Sequence, residues 1–453
     1  MRRNGEMKLG LYLVQAGYHE GAWRDPSASA DGGIDIEHYA RMTSMVEDAA
    51  FHFVFFADTP SVVERDNASI SRSGRNDGFE PITLLSALSS RTKNVGLVAT
   101  ATTTYNQPYH LARMLASLDR LSAGRAGWNI VTSGFQSEAP NFGESELPDH
   151  DARYSRAREF VQVVKGLWDS WEDTAFIRDK KTGIYADTSK LHVLKHQGEH
   201  LSVRGPLNTA RPPQGYPVLV QAGASETGLA FAAELGEVVF TAEPSIENGK
   251  CYYKKFKEKV RAAGRDDDQA LIMPGIIPLV GRTTEEALSK LQSLQSNTHL
   301  DVQLETADRW LGLVTDLRSI DLDSLVPEVL PRTNLIQSRQ KVLLDLAARQ
   351  KFTWRQLIRF ISDSKGHLLV VGTPDEIVKA MVQRYDEHAA DGFNVLPAVV
   401  PGALKDFVEL VVPELRRQGR FRSRYSGHTL RDNLGLKRPL NQFVQPNAKS
   451  GPK

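Results

Sequence analysis

Several apolar stretches of this chain end abruptly in side chains able to bind a ligand or do chemistry. Phe55-Phe56-Ala57 is closed by the carboxylate of Asp58, which either binds a ligand or caps a turn. A run that starts at Val95 passes into Thr100, Thr102, Thr103 and Thr104. In an extended chain Thr100, Thr102 and Thr104 share one face, and an inward row of hydroxyls suits a polar, planar ligand. Threonine is also simply a good strand former. Trp128-Asn129-Ile130-Val131 ends in Thr132 and Ser133. Val218-Leu219-Val220-Gln221 continues through Ala222-Gly223-Ala224-Ser225 into Glu226-Thr227-Gly228, a small-residue turn entering a helix. The free N–H groups and dipole at such a helix start suit a phosphate. His150-Asp151-Ala152-Arg153-Tyr154 opens another helix, and its histidine, arginine and tyrosine can reach a phosphate placed there. Read structurally, the same residues are an Asp cap with a surface arginine. The loop from Gln15 to Arg24 holds Tyr18 and His19, and a lone loop histidine is more often solvated than catalytic.

Other chemistries lack their residues. No HExxH pair, GxSxG elbow or GxxxxGK[ST] loop occurs, so zinc-protease, serine-hydrolase and nucleotide-triphosphatase readings have no support. Cys251 is the single cysteine, and no Cys/His cluster has zinc spacing, which predicts a metal-free protein of a reducing cytoplasm. Lys plus Arg number 56 against 55 Asp plus Glu, a formal net charge of +1. That balance calls for neither nucleic acid nor an anionic membrane as partner. The two arginines and short apolar run at the N-terminus read as a first strand rather than an export signal, and no segment approaches the ~20 apolar residues of a membrane span.

The elements that must position these residues follow a repeating pattern. Short β-branched or aromatic runs alternate with longer stretches of helical spacing, as in parallel strands joined by crossover helices. Strands are predicted at Lys8 to Val14, Phe51 to Ala57, Val95 to Thr104, Gly127 to Thr132, Val218 to Ala222, Val238 to Ala242, Ile272 to Val280 and Phe393 to Val400. Helices are predicted at Glu80 to Arg91, Pro108 to Leu121, Ala152 to Trp171, Glu226 to Leu235 and Thr284 to Leu294. This strand count closes a (β/α)₈ TIM barrel, whose active site lies at the C-terminal strand ends. A doubly wound sheet is the runner-up, weakened because no GxGxxG follows the first strand. The predicted organisation is one barrel domain over residues 1–436 with insertions at about 172–215 and 296–372, then an extended tail over 437–453. The first insertion reads as a loop with a small hairpin. The second is mostly helical, with Trp310, Leu311, Leu313, Val314 and Leu317 on one face, and reads as a lid. Thr373-Pro374-Asp375-Glu376 has the form of a capping box. From Gly419 onward Arg, Gly, Asn and Pro dominate without periodicity, which already suggests an extended chain.

Taken in order, the strand ends resemble a known family, the flavin-utilising monooxygenases related to bacterial luciferase. The stretches that carry the resemblance are HEGAWR (His19 to Arg24), FFAD (Phe55 to Asp58), FEPIT (Phe79 to Thr83), GRAGWNIVTS (Gly124 to Ser133), HDARY (His150 to Tyr154), GPLN (Gly205 to Asn208), VQAGASETG (Val220 to Gly228), AADGF (Ala389 to Phe393) and TLRDNLGL (Thr429 to Leu436). They point to the branch holding nitrilotriacetate monooxygenase component A and EDTA and dibenzothiophene-sulfone monooxygenases. LSVRGPLN and QAGASETG are shared with the N-acetyl-S-(2-succino)cysteine monooxygenase type. The resemblance implies FMN, reduced by a separate NAD(P)H-dependent flavin reductase, with O₂ as co-substrate and a homodimer or dimer of dimers in the cytoplasm. Carried over by position, Asp58, Thr104, His150, Tyr154, Ala224 and Ser225 contact flavin, with Thr132 and Ser133 behind them. His19 or Tyr18 falls where related enzymes place a catalytic histidine. The implied substrate is a small organosulfur or amino-polycarboxylate compound cleaved at C–S or C–N, and Arg24, Arg65, Arg72 and Arg75 are candidate carboxylate partners. Alternatives on the same barrel are a deazaflavin-dependent oxidoreductase and a non-catalytic flavin-binding protein.

Overall fold

The structure is a computed structural model that describes residues 3–62, 66–223, 225–313, 316–331, 333 and 337–444. Of the residues singled out above, Arg65, Ala224 and Val314 lie outside the described residues. The barrel strands are β1 (Lys8–Tyr12), β2 (Phe53–Phe56), β3 (Gly96–Thr102), β4 (Ala126–Val131), β5 (Val218–Gln221), β6 (Val238–Thr241), β7 (Leu271–Val280) and β8 (Gly392–Val395). Each pairs in parallel with the next, β6 with β7 from Val238↔Leu271 to Thr241↔Pro274, and β8 returns to β1 from Lys8↔Gly392 to Leu11↔Val395. The (β/α)₈ expectation therefore holds, strand for strand. Strands buried on both faces read as near-continuous apolar runs, which is why Phe53–Phe56 and Gly96–Thr102 were visible in the sequence.

Alternation along each strand sorts side chains into two cores. Leu9, Leu11, Val54, Phe56, Leu97, Ala99, Trp128 and Ile130 face outward and pack beneath the helices. Phe53, Phe55, Val98, Val218, Val220, Val238 and Met273 fill the barrel interior. The polar residues that follow on the inward faces, Thr100 and Thr102 above Val98, thus open at the barrel mouth.

The bottom of the barrel corrects one expectation. Instead of trailing away, the chain after Gly419 turns back and forms the helix Leu430–Leu434, whose Leu430 and Leu434, with Leu436, join the interior core. A Cβ at Gly96 would stand 2.5 Å from a Leu430 methyl, so the strand must begin with glycine to admit the plug. Thr429 and Asp432 form a capping box, and buried Arg431 holds Glu237 through Nη1 and Nη2 at 2.6 and 2.7 Å. A five-residue helix is too short to show a period, which is why the stretch read as a tail.

Two stretches depart from the strand–helix repeat. After the helix His150–Trp168 the first carries the antiparallel pair His196–Gln197 and Ser202–Val203, the small hairpin expected there. The second carries the helices Leu300–Leu311, Gln337–Gln350 and Trp354–Ser364, which share a separate core around Leu311, Leu343, Leu357 and Ile361. It ends in a strand that the sequence did not announce, Leu368–Gly372, paired in parallel with Ile276–Val280 of β7. Ile276 is partnered by both Leu368 and Val395, so this strand occupies the edge of β7 that β6 has left free. The insertion is thereby sewn into the sheet above the barrel rim. Among the described residues no helix is long and apolar enough to cross a membrane, and no His/Cys/Asp/Glu group could hold a metal ion.

Candidate active site

A cavity of about 640 Å³ opens at the C-terminal ends of the strands, where a barrel of this kind places its chemistry. Barrel residues build most of the wall, and Trp310, Gln337, Ser338, Arg339 and Val342 of the second insertion close one side.

One end is made for an anion. Ser225 caps the helix Glu226–Leu235, its Oγ accepting from the Gly228 N–H at 3.1 Å, and lies 3.5 Å from His150 Nε2. Tyr154 packs beside His150 with ring centroids 4.9 Å apart, and a Cβ at Gly228 would sit 2.9 Å from its hydroxyl. Only glycine lets that phenol reach the helix start. Arg153 is buried, and among the described residues its one hydrogen bond runs from Nη1 to the Pro148 carbonyl at 2.7 Å. Its Nε is buried without a partner, and no carboxylate pairs with it among the described residues. A guanidinium and a helix N-terminus facing one space make a strong site for phosphate.

A belt of polar side chains follows around the mouth. Asn129 donates from Nδ2 to Thr100 Oγ1 at 2.9 Å, and Thr102 and Ser133 hydroxyls meet at 2.9 Å. Asn129 Oδ1, Gln221 Oε1 and Thr241 Oγ1 are buried with no partner, although all three residues line the cavity. Leaving one such group unpaired costs about 1–3 kcal/mol, so three together imply a polar ligand. Ser133 holds φ +59°, a left-handed conformation uncommon outside glycine and often found at functional sites. Asp58 opens into the same space, and burial of its surroundings, with Glu80 and then Glu138 nearby, pushes its carboxyl up to about 6.

The structure therefore brings Asp58, His150, Tyr154 and Ser225 to one cavity, with Thr132 and Ser133. Thr104 stands behind it, donating from Oγ1 to the Thr132 carbonyl at 2.9 Å, and so supports the wall. His19 and Tyr18 are not in the cavity lining. Gly21 N–H donates to His19 Nδ1 at 3.1 Å, so Nε2 carries the proton it gives to Asp363 Oδ1 at 3.0 Å. Both ring nitrogens are thus engaged, Nδ1 within the first βα loop and Nε2 in tying that loop to the second insertion. Tyr18 is buried beneath Lys365, whose Nζ lies 4.4 Å from its ring centroid and 2.9 Å from Glu20 Oε1. Burial lowers the Lys365 ammonium to about 8, while against the opposite push of burial Arg75 and Lys365 hold the Glu20 carboxyl well below its usual range. Arg75 serves Glu20 at 3.1 Å, Arg72 serves Asp301 at 3.2 Å, and Arg24 reaches the Asn297 carbonyl, so none of them faces the cavity. The arginine that does so from the insertion, Arg339, was missed, because nothing local distinguishes it from its neighbours in a polar helix.

A parallel barrel whose mouth joins a helix start suited to an anion to an orphaned polar belt is the architecture of an enzyme that binds a polar, anionic ligand, and the comparisons give its family. The chain belongs to the luciferase-like monooxygenase family, which matches over residues 13–392, and it is a flavin-dependent monooxygenase. It is 42% identical over 441 residues to N-acetyl-S-(2-succino)cysteine monooxygenase of Bacillus subtilis (strain 168), covering 97% of this chain and 99% of that protein. It is 43% identical over 454 residues to nitrilotriacetate monooxygenase component A of Aminobacter aminovorans, covering 99% and 100%. Among solved structures it resembles riboflavin lyase with modified FMN and substrate riboflavin, with a TM-score of 0.87, 31% identity and coverage of 96% and 97%.

Proposed function

We propose that this chain is the oxygenating component of a two-component system: it takes reduced FMN from a separate NAD(P)H-dependent reductase and uses O₂ to oxygenate a small organosulfur or amino-polycarboxylate compound, with C–S or C–N cleavage. One observation carries the reading. The anion site at Ser225 and Arg153 and the unpaired polar belt of Asn129, Gln221 and Thr241 line a single cavity, which is what a phosphate-bearing planar cofactor needs. The residues present fit FMN, and the similar riboflavin lyase structure contains a modified FMN. Arg153, His150, Tyr154 and Ser225 would hold the phosphate, and the sequence resemblance adds Ala224 to them. Asp58, Asn129 and Gln221 would meet the polar parts of the ring system.

Bound there, reduced flavin supplies the activation of O₂ and the transfer of one oxygen atom to substrate, the other leaving as water. The chain's own part is to bind, orient and exclude water. Tyr12, Phe55 and Phe240 form an aromatic floor, and the second insertion acts as a lid over it. Asp58, near its midpoint at pH 6, donates a hydrogen bond below that pH and only accepts above it. Anaerobic titration with reduced FMN, followed by mixing with ¹⁸O₂ and candidate thioethers or amino-polycarboxylates, tests the proposal. Label in the organic product is the expected result. Selective binding of a deazaflavin with no affinity for FMN would reject it.

A further inference from the structure

The cavity wall that the barrel does not build carries a guanidinium with no ion-pair partner among the described residues. Arg339 lies near the start of the helix Gln337–Gln350, half-buried, with its Nη1 donating to the Lys365 carbonyl and its guanidinium 4.9 Å from the Trp310 ring centroid. No carboxylate stands within ion-pair distance of it among the described residues, and its remaining N–H groups bond to none of them. Glu243 is the acid that bears on it, but burial raises that carboxyl to about 7, so near neutrality it is only partly charged. Beside Arg339 the cavity is apolar: Tyr12 stacks on Phe55 at 5.0 Å and on Phe240 at 5.9 Å, and Val342 and Trp310 close the other side. The phosphate end already has its own cation in Arg153, so a bound phosphate does not account for this second one.

A guanidinium held in place by stacking and one carbonyl bond, with the rest of its planar fork bonded to none of the described residues, is suited to a carboxylate taken bidentately. We infer that Arg339 is a substrate-recognition residue, and that the molecule it selects carries a carboxylate next to an apolar body that lies on the Tyr12, Phe55 and Phe240 floor. The inference deepens the substrate half of the reading above and assigns the residue responsible. It also gives the second insertion a role beyond shielding, since the lid itself supplies the anion contact and a bound carboxylate would hold it closed.

The test is calorimetric titration of the full chain and of Arg339→Met and Arg339→Lys with succinate, with thiodiacetate and with the neutral dimethyl ester of thiodiacetate. Both dicarboxylates should bind the wild type saturably, and Arg339→Met should weaken them at least about tenfold while leaving the ester unchanged. Arg339→Lys, which keeps charge but loses the fork, should fall between. Equal loss for acid and ester in Arg339→Met means a merely structural role and overturns the inference. So does an unchanged affinity for the acids, or no saturable binding of either dicarboxylate to the wild type. FMN titration of the same proteins separates the two readings. Dicarboxylate discrimination by Arg339 in a chain that binds no FMN would uphold this inference and reject the flavin proposal, whereas FMN binding unaltered by Arg339→Met supports both.

Discussion

The two walls of the cavity are built on different principles. The barrel wall stands on the ends of strands whose lower residues are locked in the interior core with Leu430 and Leu434, so its polar atoms are held in place by packing. The insertion wall has its own small core and reaches the barrel through polar links, the His19–Asp363 bond and the Glu20–Lys365–Arg75 cluster, together with the strand Leu368–Gly372. A rigid wall suits a cofactor that is always the same, and a separately folded one suits a part that moves or varies between substrates.

The largest expected effect strikes the barrel wall from below. Leu430→Ala should cost about 2–5 kcal/mol in urea unfolding and lower FMN affinity with it, because the same core carries the strand ends. A loss confined to the C-terminal helix, with the barrel unfolding as before, would show that the plug is peripheral.

Arg153→Met comes next and separates binding from stability. FMN affinity should fall by about 2–3 kcal/mol, roughly 30- to 150-fold, in a flavin fluorescence titration. Stability of the ligand-free protein should hold or rise, because the substitution removes a buried cation that lacks a carboxylate partner. Unfolding at a lower temperature without flavin would mean that Arg153 is a structural residue.

Where the walls meet, Glu243, just past the barrel strand β6 and bearing on Arg339 of the insertion, gives a pH signature. Its carboxyl is raised from 4.5 to about 7, so the folded state favours the protonated form, and that contribution is full below pH 4.5 and lost as pH rises through 7. Glu243→Gln should therefore be more stable than wild type at pH 8, by about 1–3 kcal/mol, with the difference vanishing near pH 4. A constant difference across that range would exclude titration of Glu243 as its source.

The smallest effect distinguishes the walls most directly. His19→Ala should loosen the insertion by about 1 kcal/mol, seen as faster amide exchange in the helix Trp354–Ser364, while FMN affinity changes less than about twofold. A collapse of flavin affinity would put His19 back at the reacting centre and contradict its placement as a clasp.

The cavity residues proposed to hold flavin stood out in the sequence because they belong to short contiguous motifs at strand ends. Asp58 follows Phe56-Ala57, Ser225 follows the β5 turn, and His150 and Tyr154 share one helix start, so local order along the chain already sets their spacing. Arg153 was weighed as a phosphate contact, but only burial showed that it lacks a partner. That His19 and Tyr18 lie outside the cavity lining was not legible, because a loop's direction depends on what packs over it, and here Asp363 and Lys365 arrive from more than 340 residues away.

Apolar runs alternating with stretches of helical spacing, read from the residues alone, determined the barrel, its strand count and the polar character of its mouth, because a parallel strand covered on both faces is an unbroken apolar run wherever it lies, and it turns polar only where it leaves the core. Tertiary structure decided what has no period: that the C-terminal residues turn back to plug the barrel, that Leu368–Gly372 adds to β7, and that Arg339 meets the aromatic floor. Each of these depends on contacts between segments far apart in the chain, and only closure of the barrel brings those segments together.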